Sequence, residues 1–229
     1  MTEMAIVLQE IVAIDRGGKE AYLETVANCW APYAERTRGM RLLWLGSTIG
    51  STAAWPETMA LWELRDWRHY AEVCARMYTE TSDDEELREW WQEATKLRLR
   101  ARSQTLVGLP FSPTLDDHLA RGETSSAFVF ATYRIRPGKR ADFFTTLERR
   151  AAAEASRGRQ LVGAYEVAFT NDLAYAVWSH ATLADLAAYE EAHRGRAWSD
   201  GACESWSEHW GFATAASPLA VKDAGAKVW

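Results

Sequence analysis

The chain carries one pattern twice, and a duplication of this kind limits the possible folds more than any single motif does. Glu57 to Asp66, ETMALWELRD, reads as a buried strand centred on Trp62 that runs into a helix. Asp172 to Ala181, DLAYAVWSHA, repeats it around Trp178, and the helical pattern LADLAAYEEAH follows. Other landmarks keep step. Lys19 after Arg16-Gly17-Gly18 matches Lys139 after Arg136-Pro137-Gly138 at 120 residues, Gly39 matches Gly158 at 119, Leu45-Gly46 matches Val162-Gly163 at 117, and Trp62 matches Trp178 at 116. Arg88-x-Trp90 matches Arg196-x-Trp198, and Gly108-Leu109-Pro110 matches Ala216-Ser217-Pro218, both at 108. The offset changes only where loops are expected, with its largest step in the acidic insertion Tyr78 to Glu86.

Within each copy the periodicities alternate between two and 3.6 residues. Ile6 to Ile14 is a β-branched, aliphatic run ending in a turn, and Leu23, Val26, Ala27, Trp30 and Ala34 then recur at helical spacing up to Gly39. Strands over Met40 to Ile49 and around Trp62, a helix from Trp67, a charged helix through Trp90-Trp91 and a strand near Ser103 to Val107 complete the order β-α-β-β-α-β, the ferredoxin-like arrangement. The second copy reads as strand 127–135, helix 140–155, strands 161–169 and 173–179, helix 183–194, helix 199–210 and strand 212–215. The fold class is therefore α+β, two ferredoxin-like repeats at residues 1–112 and 126–221, a linker at 113–125 and a tail at 222–229. Each repeat covers one sheet face with helices and leaves the other bare, so two repeats can bury their bare faces against each other.

Composition removes several classes of function. The net charge of −6 and the scattered Lys and Arg argue against nucleic acid as a partner. No apolar run reaches the roughly 18 residues that span a membrane, and Glu3 sits where a signal peptide wants basic residues. Cys29, Cys74 and Cys203 are far apart and odd in number, which suggests free thiols and a cytoplasmic location. The histidines have no metal-binding spacing, and no Gly-rich phosphate loop or Gly-x-Ser-x-Gly elbow is present, so neither a nucleotide cofactor nor serine hydrolysis has support.

Leu42-Leu43-Trp44-Leu45-Gly46, Leu61-Trp62-Glu63-Leu64 and the stretch Trp90 to Pro110 resemble NIPSNAP domains of the dimeric α-β barrel superfamily, here with both halves on one chain. The second half keeps Gly163, Trp178 and Trp198 but is more diverged. The resemblance implies a barrel of two ferredoxin-like units. Proteins of this kind include cofactor-free monooxygenases acting on polyketide anthrones and quinols, isomerases and dehydratases, and haem enzymes such as chlorite dismutases. No catalytic motif of these carries over residue by residue.

Two residues are candidates for proton transfer. Glu10 interrupts an apolar strand, and alternation sets Leu8, Glu10, Val12 and Ile14 on one face, matched to Phe128, Phe130, Thr132 and Arg134. On that reading Glu10 points into the barrel, either as a desolvated proton carrier or as the ion-pair partner of Arg134. His180 shares a strand face with Trp178 and is either a general base beside an aromatic wall or a strand-end residue facing water. Trp44, Trp62, Phe128, Phe130, Tyr133, Tyr165 and Trp178 are the strand aromatics expected to wall a pocket for a hydrophobic, aromatic or polyketide-like molecule. His209, at an expected helix end, either complements the helix dipole or serves as an axial haem ligand in a haem-dependent alternative. His69, His118 and His193 read as surface residues. The expectation is an enzyme working without a cofactor, as a monomer or homodimer; a non-catalytic binding or scaffolding protein is the other reading.

Overall fold

Strand β1 (Ile6–Ile14) alternates its side chains between two cores, and the molecule is organised around that division. The computed structural model describes residues 4–79, 84–122, 124–193, 201–214 and 216–220. In the first repeat β1 is followed by α1 (Lys19–Thr25), a π-helical turn (Val26–Trp30), α2 (Ala31–Arg38), β2 (Arg41–Thr48), β3 (Glu57–Leu64), α3 (Trp67–Thr79), α4 (Glu85–Leu97) and β4 (Arg98–Gly108). Helix α5 (Leu115–Arg121) leads to the second repeat: β5 (Ala127–Ile135), α6 (Arg140–Ala155), β6 (Gln160–Val167), β7 (Leu173–His180), α7 (Leu183–His193) and β8 (Cys203–Ala213).

The eight strands close into one barrel in the order β1-β3-β2-β8-β5-β7-β6-β4, with every pair antiparallel. The repeats therefore join edge to edge, β2 to β8 and β4 to β6, which leaves no open sheet edge. Strands four steps apart run in the same direction, so β1 and β5 point the same way and the pseudo-twofold lies along the barrel axis. A single chain closes the barrel without help from a second copy. No helix among the described residues is long and apolar enough to cross a membrane.

Three apolar clusters follow from the alternation. The barrel interior holds Val7, Leu43, Trp44, Met59, Leu61, Phe128, Phe130, Tyr165, Tyr175 and Val177, drawn from both repeats. The space under the first repeat's helices holds Ile6, Val12, Ile14, Trp30, Tyr33, Trp62 and Leu64; that under the second's holds Val129, Ala131, Tyr133, Phe143, Trp178 and Leu186.

Several sequence expectations change. The β1 faces are reversed: Glu10 lies on the helix-covered face with Val12 and Ile14, because the two repeats are matched one residue differently in the first strand. Ile14 and Ile135 both sit at the register shift against the last strand of their repeat, so the offset there is 121 and Glu10 corresponds to Ala131. An odd shift of one residue exchanges the two faces of a strand. Arg134 pairs with Asp172, not with Glu10.

In the second strand Trp44 lies opposite Leu61 as Gly163 lies opposite Val177, and Gly46 opposite Met59 as Tyr165 opposite Tyr175. The repeats thus exchange an aromatic and a glycine, and the two glycines of the expected match are not equivalent. A Cβ on Gly46 would meet the Trp44 ring at 2.6 Å, and one on Gly163 would meet the Tyr165 hydroxyl at 2.0 Å. Each glycine makes room for its neighbour's ring, and Gly46 also lets the Phe212 carbonyl of β8 approach, which a Cβ would meet at 2.0 Å.

The expected helix over 199–210 is a strand from Cys203 onward, where Ser205-Trp206-Ser207 alternates along β8 and pairs with β5. Arg196 and Trp198, on which the helical match rested, lie outside the described residues. The linker contains α5, whose Thr114 and Asp117 form a reciprocal capping box. That helix plugs one end of the barrel: Leu115 joins the interior core, its N–H donates to Glu63 Oε2 at 2.8 Å, and His118 Nε2 lies 2.8 Å from the Val162 carbonyl. His118 is consequently buried, as is His69, whose Nε2 is 2.6 Å from the Arg38 carbonyl oxygen. His193 is half-buried and stacks on Tyr189.

Candidate functional site

The residues expected to form one ring-lined pocket are divided by the sheet. Trp44, Phe128, Phe130 and Tyr165 face the barrel interior, whereas Trp62, Tyr133 and Trp178 face the helices. The interior rings fill space instead of lining it. Trp44 packs edge-on against Phe128 and Phe130, with centroids 5.7 and 4.8 Å apart, and all three are fully buried. This is edge-to-face packing within the core.

Under the first repeat's helices Glu10 is half-buried and accepts a hydrogen bond from Trp62 Nε1 at 2.9 Å. Burial raises its pKa, against the opposing effects of the indole donor and of Arg98. Around it lies an aromatic cluster. Trp62 meets Trp30 edge-on, Trp30 stacks on Trp90 and Tyr33, and the Arg38 guanidinium lies over Trp30 and Tyr33. Trp30 ends the π-helical turn, an irregularity that widens the helix locally and is frequent at functional sites.

The second repeat places polar groups at the corresponding depth. His180 is 1% exposed and Arg159 3% exposed. The Arg159 guanidinium lies between the rings of Trp178 and Tyr189, 4.8 and 4.9 Å from their centroids, and donates to Glu208 Oε1 at 3.0 Å. Tyr189 donates to Glu154 Oε2 at 2.8 Å, and the His180 ring packs against Tyr189 with centroids 5.1 Å apart. Burial works against the charge of Arg159, but the Glu208 carboxylate and the phenols of Tyr133 and Tyr189 outweigh it and hold the guanidinium charged. Burial, with the nearby Arg159 charge, lowers the His180 pKa to about 4, so its imidazole is neutral at pH 7. Burial also raises the Tyr133 and Tyr189 phenols, which remain protonated donors.

Three atoms of this chamber are left over. His180 Nε2, Arg159 Nε and Trp178 Nε1 are buried with no hydrogen-bond partner among the described residues. Such atoms are rare in folded proteins and call for a water, a ligand or a functional reason. An opening of about 40 Å3 beside Tyr133, Arg159, Tyr189 and Glu208 leads outward past Trp206. It has room for water. Of the two expected proton carriers, then, His180 stands among convergent charged and aromatic groups, and Glu10 lies in the other repeat. Sequence reading missed Arg159, Tyr189 and Glu208. Arg159 had a signal in its place one residue after Gly158, at the start of a strand whose counterpart in the first repeat begins Met40-Arg41.

A haem fits neither expected histidine. His209 is in the middle of β8, not at a helix end, and its ring lies flat on Phe130 with centroids 5.2 Å apart. The cavity beside it is about 300 Å3. That is the lower limit of pockets for drug-sized ligands, roughly 300 to 1,000 Å3, and a haem is larger than such ligands. His180 is 1% exposed with Tyr189 packed against its ring, and the opening nearby is water-sized. Among the described residues no three His, Cys, Asp or Glu side chains gather to hold a metal ion.

The architecture defines the class: an α-β barrel made of two ferredoxin-like repeats on one chain. Residues 128–215 match the NIPSNAP family model, which makes the second repeat NIPSNAP-like and places the match on that half of the chain, not on the first half where the sequence resemblance was read. The matched stretch contains every residue of the polar chamber described above. No curated protein matches this chain in sequence. Among solved structures, a candidate monooxygenase from Lactobacillus acidophilus is similar with a TM-score of 0.63 and 10% identity, over 92% of this chain and 94% of that one. An anthrone oxidase-like protein gives 0.57 and 9%, over 92% and 91%. A candidate chlorite dismutase gives 0.54 and 11%, over 96% and 98%. At these identities the likeness is one of fold.

Proposed function

We propose that this chain is a small-molecule enzyme that abstracts a proton from a planar, weakly acidic aromatic compound, a phenol or enol, in the chamber under the second repeat's helices. The observation that carries the reading is that His180 Nε2 and Arg159 Nε are buried without partners while both side chains pack against the Tyr189 ring. The neutral imidazole accepts the proton only as the oxyanion forms, whose charge offsets the burial and the Arg159 charge that otherwise disfavour the imidazolium. The fixed guanidinium then holds the oxyanion at low local dielectric, where such an interaction is strongest. Trp178 and Tyr189 flank the guanidinium, and Glu208 keeps Arg159 in place.

No cofactor enters this scheme. Once formed, an electron-rich anion of this kind either rearranges or reacts directly with dioxygen, and the fold similarity to candidate monooxygenases and an anthrone oxidase-like protein supports testing the second course. The opening of about 40 Å3 admits water but not a ring system. Substrate entry therefore requires α7, which carries Tyr189, to move away from the sheet, and closure behind the substrate would exclude water.

Anthrone and 1,4-dihydroxynaphthalene serve as probes. Their anions are followed by absorbance without air, and oxygen uptake is followed with air. The expected result is a rate above buffer that falls at least 100-fold in His180→Gln, within the range of general-base contributions, while the circular dichroism is unchanged. A full rate in His180→Gln overturns the assignment. Saturable binding of these probes without turnover supports a ligand-binding protein instead.

A further inference from the structure

The barrel has a second hollow that the chamber does not use. At the end opposite α5, where β4 and β8 emerge, a cavity of about 300 Å3 lies inside the barrel and is shared by both repeats. Its lining pairs unlike residues across the pseudo-twofold. Arg102 opposite Ile11 corresponds to Ser207 opposite Thr132, and Gln104 opposite Gln9 corresponds to His209 opposite Phe130. A pseudosymmetric barrel core is satisfied by apolar residues at such positions, and its other half is built in that way.

Arg102, Tyr175 and His209 can donate into this cavity, beside the hydroxyls of Ser103, Thr132 and Ser207, which donate or accept. Among the described residues lining the cavity Arg102 alone carries a charge, and no carboxylate among the described residues pairs with it. Gln104 Nε2 donates to Gln9 Oε1, and the Gln9 amide donates in turn to the Tyr175 hydroxyl. Both Gln9 and Tyr175 are 1% exposed. The proton of Tyr175 is left facing the Met59 sulfur at 3.8 Å, a weak acceptor, so a better acceptor in the cavity would take it. Burial and the Arg102 charge keep the His209 ring neutral, with one N–H to offer. Ile11 supplies an apolar wall, and the Phe130 ring beneath His209 backs the other side.

We infer that this cavity binds a small organic carboxylate, with the carboxylate on Arg102, Tyr175 and His209 and the hydrocarbon part against Ile11. A planar guanidinium fork matches a carboxylate, and a single full positive charge balances a monoanion better than a phosphate dianion. The site lies on the other side of the sheet from the chamber of His180, so it is independent of the proposed reaction.

The test uses the full chain and benzoate as the probe, followed by calorimetry and by the imidazole signals of His209 in NMR. Benzylamine, of the same shape but opposite charge, and inorganic phosphate are the comparators. Benzoate is expected to bind saturably and shift the His209 ring, to bind at least tenfold more weakly to Arg102→Leu, as loss of a charged hydrogen bond predicts, and to bind His180→Gln as it binds the wild type. Arg102 is exposed, so its replacement leaves the fold intact. The assignment fails if benzoate does not bind at millimolar concentration, if Arg102→Leu binds it equally, if the His209 signals do not move, or if benzylamine or phosphate binds as well or better.

Discussion

Laid over one another, the two helix-covered chambers share a backbone and differ in chemistry. Met40, Leu64, Val12 and Val73 of the first repeat stand where the second has Arg159, His180, Tyr133 and Tyr189, and Ser103 stands where it has Glu208. The first repeat shows that uncharged residues suffice at these five positions, although Arg38 and His69 are buried elsewhere among its helices. Buried ionic and imidazole groups are expensive to desolvate, so their concentration in the second repeat is not explained by folding. Departures from local rules of stability are expected where function is located. Glu10 is the first repeat's own departure, and the second repeat has Ala131 there.

The strongest way to break this comparison is to give the second chamber the first chamber's residues. Arg159→Met alone leaves the partly exposed Glu208 carboxylate without its partner beside the water-sized opening, so the loss should lie between about 1 kcal/mol, as for an exposed pair, and about 3 to 5 kcal/mol, as for a fully buried one. Adding Glu208→Ser, which completes the first repeat's pattern, should recover most of that loss. Urea unfolding at pH 7 measures both. If the single variant loses less than about 1 kcal/mol, the value of an exposed ion pair, the pair is not buried in the way that sets the two chambers apart.

Acid provides the next sharpest contrast. The His180 pKa falls from 6.5 to about 4 on folding, so between these values the unfolded chain binds a proton that the folded chain does not. Stability is therefore full above pH 6.5 and declines as the pH drops toward 4, by roughly 3 kcal/mol at 1.36 kcal/mol per unit. His209 is lowered in the same direction and to a similar value, so the wild type loses stability through both rings. His180→Leu, which copies Leu64, should remove its own share and leave that of His209. Equal pH dependence in the variant and the wild type would show that His180 is not held neutral by its chamber.

How much of this could be read from the chain depends on which physical rule governed each feature. The duplication, the order of elements and the shared face of Trp178 and His180 follow from periodicity, which sequence preserves. The faces of β1 did not, because parity is lost with a single-residue difference in the turn after Ile14, and every side chain of Glu10's face was then assigned to the wrong core. The exchange of Trp44 and Gly163 is invisible for a related reason: matching glycine to glycine is the natural alignment, yet each repeat places its ring where the other has none. The helix α5 had a legible signal in Thr114-x-x-Asp117. Arg159 and Glu208 lie 49 residues apart, and only the closure of β8 against β5, with β6 two strands away, brings them to one chamber. Long-range pairing of that kind leaves no local pattern.

Glu10 should give the smallest effect and the opposite sign. Burial raises its pKa, so above the ordinary carboxylate range the folded state either holds a proton or carries an unfavourable charge. Its contribution to stability is present below pH 4.5 and is lost as the pH rises through the raised value. Glu10→Gln keeps an oxygen to accept from Trp62 Nε1 and removes the charge. The variant should match the wild type near pH 4 and gain a little at pH 8, less than either change above. A loss at pH 8 would mean that the ionised carboxylate is wanted there, held by Trp62 and Arg98. The first chamber would then be a charged site as well, and the contrast between the repeats would be one of sign, not of kind.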